Sequence, residues 1–279
     1  MFLVASRLRS SEWLLIAYFT YVAIIAPWFF SAWKAWFLVA VVATVIWLLA
    51  GTRSYFLQGA RDLLPAALTL VAYREMNWFA RRHDQHLENA WIVWDRWLLD
   101  ACGLRGAIEG VGVLLPGFLE LCYLLVYAVG PVSLALVVIY GGRDRVNRFW
   151  LAYLIGALGS YALFPYFPSG PPRTVFHGAD LPNIVTVLRR WNLEIVGGYG
   201  IHSSVFPSAH VSCALGAAWG LLATLRKHRW IGWAMVAYSL SVAVATVYGR
   251  YHFAVDAVAG IGVSLVALLV LRLQRESRR

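Results

Sequence analysis

The sequence predicts an all-α integral membrane protein, and three observations support this prediction. Of its 279 residues, 61% are hydrophobic and only 14% are charged, whereas an average soluble domain has about 45–50% apolar and about 25% charged residues. The apolar residues fall into runs long enough to cross a bilayer as helices of about 20 residues. The 14 Trp residues suit the aromatic belts at the two membrane surfaces.

The apolar runs divide the chain into two membrane regions, residues 1–110 and residues 111–279. Spans are expected at residues 13–30, 33–50, 63–79, 111–140, 149–164, 208–225, 230–248 and 253–273. The first run follows Arg7 and Arg9 as in a signal peptide, but it is too long and too aromatic to be removed as one. The third is the least clear span because it carries Arg74 and Glu75, which either pair within the bundle or lie at the interface.

Residues 80–110 form the least hydrophobic part of the chain. Here Trp91, Trp94, Trp97 and Leu98 recur at helical spacing among charged residues, which predicts an amphipathic helix on a membrane surface. The pair His83 and His86 has no further ligand at a convincing spacing, so we interpret it as part of a solvated face and not as a metal site.

The net charge of +10 is interpreted as a topology signal and not as a nucleic-acid footprint. Basic residues cluster at one set of helix ends, which predicts that these ends are cytoplasmic: Arg143, Arg145, Arg148, Arg226, Lys227, Arg229, Arg272, Arg275, Arg278 and Arg279. Anionic membrane lipids are the expected partners of these clusters. The candidate site residues then share the extracytoplasmic side of what we expect to be a cell inner membrane.

The strongest candidate site begins at Arg250, His252 and Asp256, between two apolar runs. Residues four apart in a helix stack on one face, so the Asp256 carboxylate can fix the tautomer of His252 and stabilise its cation. His252 is then a candidate nucleophile. In the alternative interpretation, the Arg250 side chain only extends to the membrane–water interface, while His252 and Asp256 cap a helix.

A second stretch, Phe206-Pro207-Ser208-Ala209-His210, predicts an anion site at a helix start. Proline suits the first turn of a helix, whose free N–H groups around Ala209 attract anions, and Ser208 adds a hydroxyl. Arg173, after two prolines, and Arg250 can grip phosphate oxygens, while His210 can protonate a leaving oxygen. An ordinary capped helix and a solvated Arg173 are the alternatives.

These motifs, continued by His252-Phe253-Ala254-Val255-Asp256, resemble those of the type 2 phosphatidic acid phosphatase superfamily. Pro171-Pro172-Arg173 is similar to the first motif of its branch near the inositol phosphorylceramide synthases. The resemblance covers about residues 111–273 and implies a six-helix core, preceded here by one or two extra N-terminal spans. It also implies a phosphohistidine intermediate and no metal or other cofactor.

By position, the resemblance implies that His252 is the nucleophile, Asp256 its orienting partner and His210 the acid, with Ser208 and Arg173 binding phosphate. The sequence departs from the family pattern at three positions: Ala209 replaces a glycine, Thr246 an arginine and Tyr166 a lysine. These departures resemble the transferase branch more than the usual phosphatase pattern.

Four functions follow as hypotheses. The first is hydrolysis of a lipid phosphate, either phosphatidate-like or an isoprenyl diphosphate. The second is transfer of a phospho-headgroup, such as phosphoinositol, to a lipid hydroxyl such as that of ceramide. The third is a non-enzymatic transporter or scaffold that uses Arg74, Glu75 and Glu120. The fourth is a metal hydrolase built on the two histidines and Asp256.

Overall fold

The computed structural model describes residues 8–176 and 178–276 of the chain. In this part the secondary structure consists of helices joined by loops, and there are no β-strands. The all-α prediction is therefore confirmed. Arg7, Arg278 and Arg279 of the sequence argument lie outside the described residues, as does the side chain of Arg275.

The helices follow one another in the order α1 Ser10–Ile25, α2 Trp33–Ala50, α3 Tyr55–Glu75, α4 Gln85–Arg96, α5 Leu104–Glu109, α6 Leu114–Leu125, α7 Val129–Tyr140, α8 Val146–Leu163, α9 Pro172–Val175, α10 Val187–Tyr199, α11 Ala209–Thr224, α12 Arg229–Tyr248 and α13 Ala254–Glu276. A single 3₁₀ turn joins α6 to α7, so the two run on as one long apolar segment.

Six helical segments of the described chain are long and apolar enough to cross a membrane: Ser10–Trp28, Trp33–Ala50, Leu114–Tyr140, Arg143–Tyr166, Arg226–Tyr248 and Ala254–Gln274. The chain is thus an integral membrane protein, and the first two expected spans are confirmed. The apolar helix α11 is shorter, at 16 residues.

The span expected at residues 63–79 needs correction. Helix α3 is not among the segments apolar enough to cross a membrane, because it carries charged residues at both ends. Near its start, Asp62 is nearly buried and pairs with Arg9 and Arg143. Near its end, Arg74 donates to the carbonyl of Tyr199 at 3.0 Å. The helix packs against α8, with Asp62 paired inside the protein and the Glu75 carboxylate buried without a hydrogen-bond partner among the described residues.

Helix α11 lies at the centre of the bundle, against α8, α12 and α13. Its contact with α8 is close because a Cβ on Gly156 or Gly216 would overlap the backbone of the facing helix. Small residues permit this approach between membrane helices. A buried hydrogen bond of 2.7 Å between the hydroxyls of Ser160 and Ser212 crosses the same contact.

The amphipathic segment has an exposed face and a face that packs against the protein. Trp94 and Trp97 are exposed, whereas Trp91, Asp95 and Leu99 are buried. These three are four residues apart, so they share one helical face. After α4 the helix widens, and the Cys102 N–H donates to the carbonyl of Trp97, five residues earlier. The exposed tryptophans are compatible with the expected membrane-surface helix, whereas the carboxylate of Asp95 on the buried face was not predicted.

The basic helix ends meet at one end of the bundle. Arg145 donates to the Thr224 carbonyl, and Arg148 donates to the Leu271 carbonyl at 3.2 Å. The starts of α11 and α13 are therefore at the opposite end, about 24 Å away along the 16 residues of α11. Those two helix starts carry the candidate site.

Candidate active site

The structure brings His210 and His252 together. His210 is in the first turn of α11, and His252 is in the short loop between α12 and α13. Nδ1 of His210 lies 3.2 Å from Nε2 of His252, and the ring centroids are 5.4 Å apart. The two imidazoles therefore face each other directly, as the sequence motifs predicted.

Asp256 holds both histidine-bearing segments. Its Oδ2 accepts the Phe253 N–H at 2.9 Å and lies 3.3 Å from Nδ1 of His252. Its backbone carbonyl accepts the Ser208 N–H at 2.9 Å, which ties the start of α11 to that of α13. With the Nδ1 proton of His252 directed to the carboxylate, the Nε2 lone pair faces His210.

His252 is held in its neutral form. Burial and, to a smaller extent, the nearby positive charge of Arg173 together lower the pKa of its imidazole to about 3. At neutral pH the Nε2 atom therefore keeps its lone pair, which an attacking nitrogen needs.

Arg173 joins the two histidines at a small cavity of about 50 Å³. Its backbone N–H donates to the Arg250 carbonyl at 2.8 Å, which fixes the short helix α9 beside the histidine loop. Its guanidinium makes no ion pair with any described carboxylate. The backbone of Ala209 and the side chains of Tyr73, Tyr123, Ser204 and Tyr251 line the same cavity. This combination of a cation, a helix start and two imidazoles suits a phosphate group.

Two predicted phosphate ligands lie elsewhere. Ser208 is fully buried and does not line the cavity, because its hydroxyl accepts the Val211 N–H and caps α11. Arg250 is also fully buried, and it donates to Asp95 Oδ2 at 3.0 Å and to the Asp180 carbonyl at 3.0 Å. The expected second phosphate clamp is therefore not supported: a buried carboxylate on α4 takes the guanidinium instead.

A second buried ion pair braces the histidine loop from α6. Glu120 accepts from Arg189 at 2.8 Å and from the Tyr251 hydroxyl at 2.6 Å. Arg189 also donates to the Gly249 carbonyl at 3.1 Å. Tyr123 stacks on Tyr251, with ring centroids 3.8 Å apart. The Glu120 carboxylate is thus paired with α10 and with the histidine loop, which differs from the transport role considered for it.

Three kinds of site residue were not predicted from the sequence. Asp95 was recognisable from its helical spacing with Trp91 and Leu99. Tyr73 accepts the Ile201 N–H at 3.3 Å and lines the cavity from α3, but nothing in its sequence neighbourhood marks it. The stacked tyrosines are likewise visible only in three dimensions.

No group of three His, Cys, Asp or Glu side chains that could hold a metal ion is found within residues 8–176 and 178–276. His83 instead lies 3.4 Å from Glu88. Cys102, Cys122 and Cys213 are free thiols. The site consists of His210, His252, Asp256 and Arg173 together with the start of α11.

Comparison with known proteins agrees with this geometry. The model of the PAP2 superfamily matches residues 103–270, which include Arg173 and both histidine motifs. No curated protein and no solved structure matches the chain. Since the matched region covers more than half of the chain, the protein belongs to the PAP2 superfamily.

Proposed function

We propose that the protein is a lipid phosphoesterase that hydrolyses a phosphatidate-like phosphate or an isoprenyl diphosphate through a phosphohistidine on His252. The observation that carries this proposal is the 3.2 Å approach of His210 to the Nε2 atom of His252 at a cavity that also contains Arg173. Membership of the PAP2 superfamily supports the same class of reaction.

In the first step, Nε2 of His252 forms a bond to phosphorus while the bond from phosphorus to the lipid oxygen breaks. The negative charge of the bound phosphate favours a protonated His210, which gives its Nδ1 proton to the leaving oxygen. A monoester then releases a lipid hydroxyl, and a diphosphate releases a lipid monophosphate. Arg173 and the free N–H groups of the first turn of α11 stabilise the charge on the remaining oxygens. Asp256 stabilises the positive charge that develops on His252.

In the second step, water replaces the lipid. His210, now neutral, takes a proton from the water as its oxygen forms a bond to phosphorus, and the bond to His252 breaks. Inorganic phosphate leaves, and both histidines return to their starting forms. This is acid catalysis followed by base catalysis by the same residue.

The histidine rings must separate before reaction. A nucleophile lies about 3–3.5 Å from the atom that it attacks, and the acid needs a hydrogen bond of about 2.8 Å to the leaving oxygen. A gap of 3.2 Å between the two nitrogens does not accommodate both. Substrate binding therefore requires the two imidazole rings to move apart.

A phosphotransferase is the second candidate, and the cavity walls favour it. The space is small and is bounded by Tyr73, Tyr123, Phe164 and Tyr251, which restrict the access of water to a phosphohistidine. A lipid hydroxyl would then take the place of water in the second step. The resemblance of Pro171-Pro172-Arg173 to the branch near the inositol phosphorylceramide synthases agrees with this alternative.

We propose further that the site faces the extracytoplasmic side of the cell inner membrane. The basic clusters at residues 143–148 and 226–229 lie at the end of the bundle opposite the histidines, and such clusters mark cytoplasmic loops.

The test is an assay of the purified protein, in excess EDTA, with two substrate sets. One set contains labelled phosphatidate and labelled isoprenyl diphosphate in separate reactions, and the other contains labelled phosphatidylinositol together with ceramide. Free phosphate from the first set supports hydrolysis, whereas a labelled ceramide product from the second supports transfer. If neither product appears, or if both persist in His252→Ala, the proposed function is wrong.

A further inference from the structure

The residue concerned is Asp95 of α4, which lies outside the part of the chain that matches the family, residues 103–270. Its side chain is fully buried, although it belongs to the most polar stretch of the sequence. Burying a carboxylate is costly unless hydrogen bonds and an opposite charge compensate for it. The partners of Asp95 therefore indicate what the residue does.

Those partners lie on either side of the proposed nucleophile. Asp95 Oδ1 accepts the backbone N–H of Ala254 at 2.7 Å, and Asp95 Oδ2 accepts from Arg250 at 3.0 Å. Arg250 is two residues before His252 and Ala254 is two residues after it. One rigid carboxylate group thus holds both ends of the five-residue loop that presents the imidazole.

The same carboxylate also acts on the phosphate-binding arginine, through Arg250. The carbonyl of Arg250 accepts the backbone N–H of Arg173 at 2.8 Å. Arg250 has a φ of +60°, an unusual conformation for a residue with a side chain, and its guanidinium lies 3.8 Å from the centre of the Phe176 ring. Its ion pair with Asp95 holds it in that conformation.

Asp95 is ionised in this environment at neutral pH. Burial raises the pKa of its carboxyl, but the Ala254 N–H and the charge of Arg250 oppose this effect, so the pKa rises only to about 6. Both of its oxygens are therefore acceptors, which is the state that the two contacts require.

We propose that Asp95 is a positioning residue for phosphoryl transfer, which holds His252 and, through Arg250, Arg173 in their reacting arrangement. The polar segment before the family domain is then part of the catalytic unit and not only a membrane-surface anchor. This inference rests on the proposed function, since it assigns Asp95 to that reaction.

Two substitutions separate the two contacts. Asp95→Asn keeps an oxygen for the Ala254 N–H but removes the charge that faces Arg250, whereas Asp95→Ala removes both. We expect turnover per active site to fall about 10-fold in the first variant and at least 30-fold in the second. Asp100→Asn is the matched control, because Asp100 is on the same segment but partly exposed and pairs with Arg105 at 2.9 Å. Its turnover is expected to stay within twofold of the original.

The measurement must separate positioning from folding. Active sites are counted by titration with vanadate, an analogue of the phosphoryl transition state, and turnover and KM are expressed per titrated site. A merely structural role reduces the number of titrated sites but leaves turnover per site and the rate of phosphohistidine formation unchanged. That result, in either variant, would overturn the proposal.

A double-mutant cycle tests the coupling to Arg250. If Asp95 acts through Arg250, the double variant Asp95→Asn with Arg250→Lys loses much less turnover than the product of the two separate fold-losses. Fully multiplicative losses contradict the coupling. Should Asp95→Ala fail to fold, Asp95→Asn and Arg250→Lys, which keep polar groups in place, still provide the comparison. An original protein that releases no product from any lipid phosphate rejects the proposed function, whereas an active protein with unaffected Asp95 variants rejects only the positioning role.

Discussion

His210 and His252 are separated by 42 positions in the chain, yet Nδ1 of the first lies 3.2 Å from Nε2 of the second. The contact exists because the Ser208 N–H donates to the Asp256 carbonyl, so the helix starts that carry the two rings are joined. The proposed chemistry depends on this contact.

Replacement of His252 by Ala is expected to lower phosphoester cleavage by at least 10³-fold, because no other described group can accept the phosphoryl group at that position. Acid-labile, histidine-linked phosphate should also disappear from the protein. The control is His228→Ala, since His228 is at the opposite end of the bundle and packs on Tyr140. Retention of half the original rate in His252→Ala would contradict the mechanism.

Replacement of Asp256 by Asn is expected to lower turnover by about 10²–10⁴-fold without unfolding the protein. Asparagine can still accept the Phe253 N–H through its oxygen. It carries no negative charge, however, to face Nδ1 of His252 as the Asp256 carboxylate does. The imidazole then loses its fixed tautomer and the stabilisation of its cation. Single-turnover formation of the phosphohistidine measures the effect, and an unchanged rate in folded protein rejects the assigned role.

Replacement of Arg173 by Lys is expected to reduce kcat/KM by at least tenfold, because lysine cannot offer the two-pronged donation of a guanidinium. Phosphate should also become a weaker competitive inhibitor of the variant. Arg190→Lys is the control, since Arg190 is exposed on α10. Equal inhibition by phosphate of the original protein and Arg173→Lys would remove Arg173 from the phosphate site.

Acidification is expected to destabilise the protein through His252. The pKa of this imidazole is about 3 in the folded chain and about 6.5 in an unfolded chain. Between these values the unfolded chain binds a proton that the folded chain does not, so stability falls as the pH decreases below about 6.5. The unfolding temperature in detergent should therefore drop more between pH 7.5 and pH 5 than that of His252→Gln. Equal drops in the two proteins contradict the assignment.

Replacement of Glu120 by Leu is expected to destabilise the fold by about 3–5 kcal/mol, because it leaves the buried Arg189 without its counter-charge. Thermal unfolding measures the loss. The double variant with Arg189→Met should recover most of it, since both charges are then removed. If the single variant unfolds at the original temperature, the pair does not support the loop as described.

The local patterns of the chain predicted most of its helices. The apolar runs gave the first two spans with boundaries close to those of Ser10–Trp28 and Trp33–Ala50. Residues 63–79 were the exception, because the helix there is too polar to be counted among the spans, and Asp62 just before this range pairs with Arg9 and Arg143, which are distant in the sequence.

The motifs predicted which residues gather at the site but not how each side chain is used. His210, His252, Asp256 and Arg173 lie together. Ser208 and Arg250 are close in the chain to these residues, but their side chains turn away from the cavity. Sequence spacing defines the proximity of backbones, whereas the direction of a side chain depends on the partner that packing supplies.

The sequence by itself determined that this chain enters a membrane as helices and that two histidines begin apolar helices or flank them, because hydrophobicity and helical spacing are local properties. Only the tertiary structure decided that Asp95 would be buried beneath the histidine loop and that Arg250 would pair with it. The reason is energetic: a buried charge must find an opposite charge, and which one it meets depends on contacts between segments far apart in the chain.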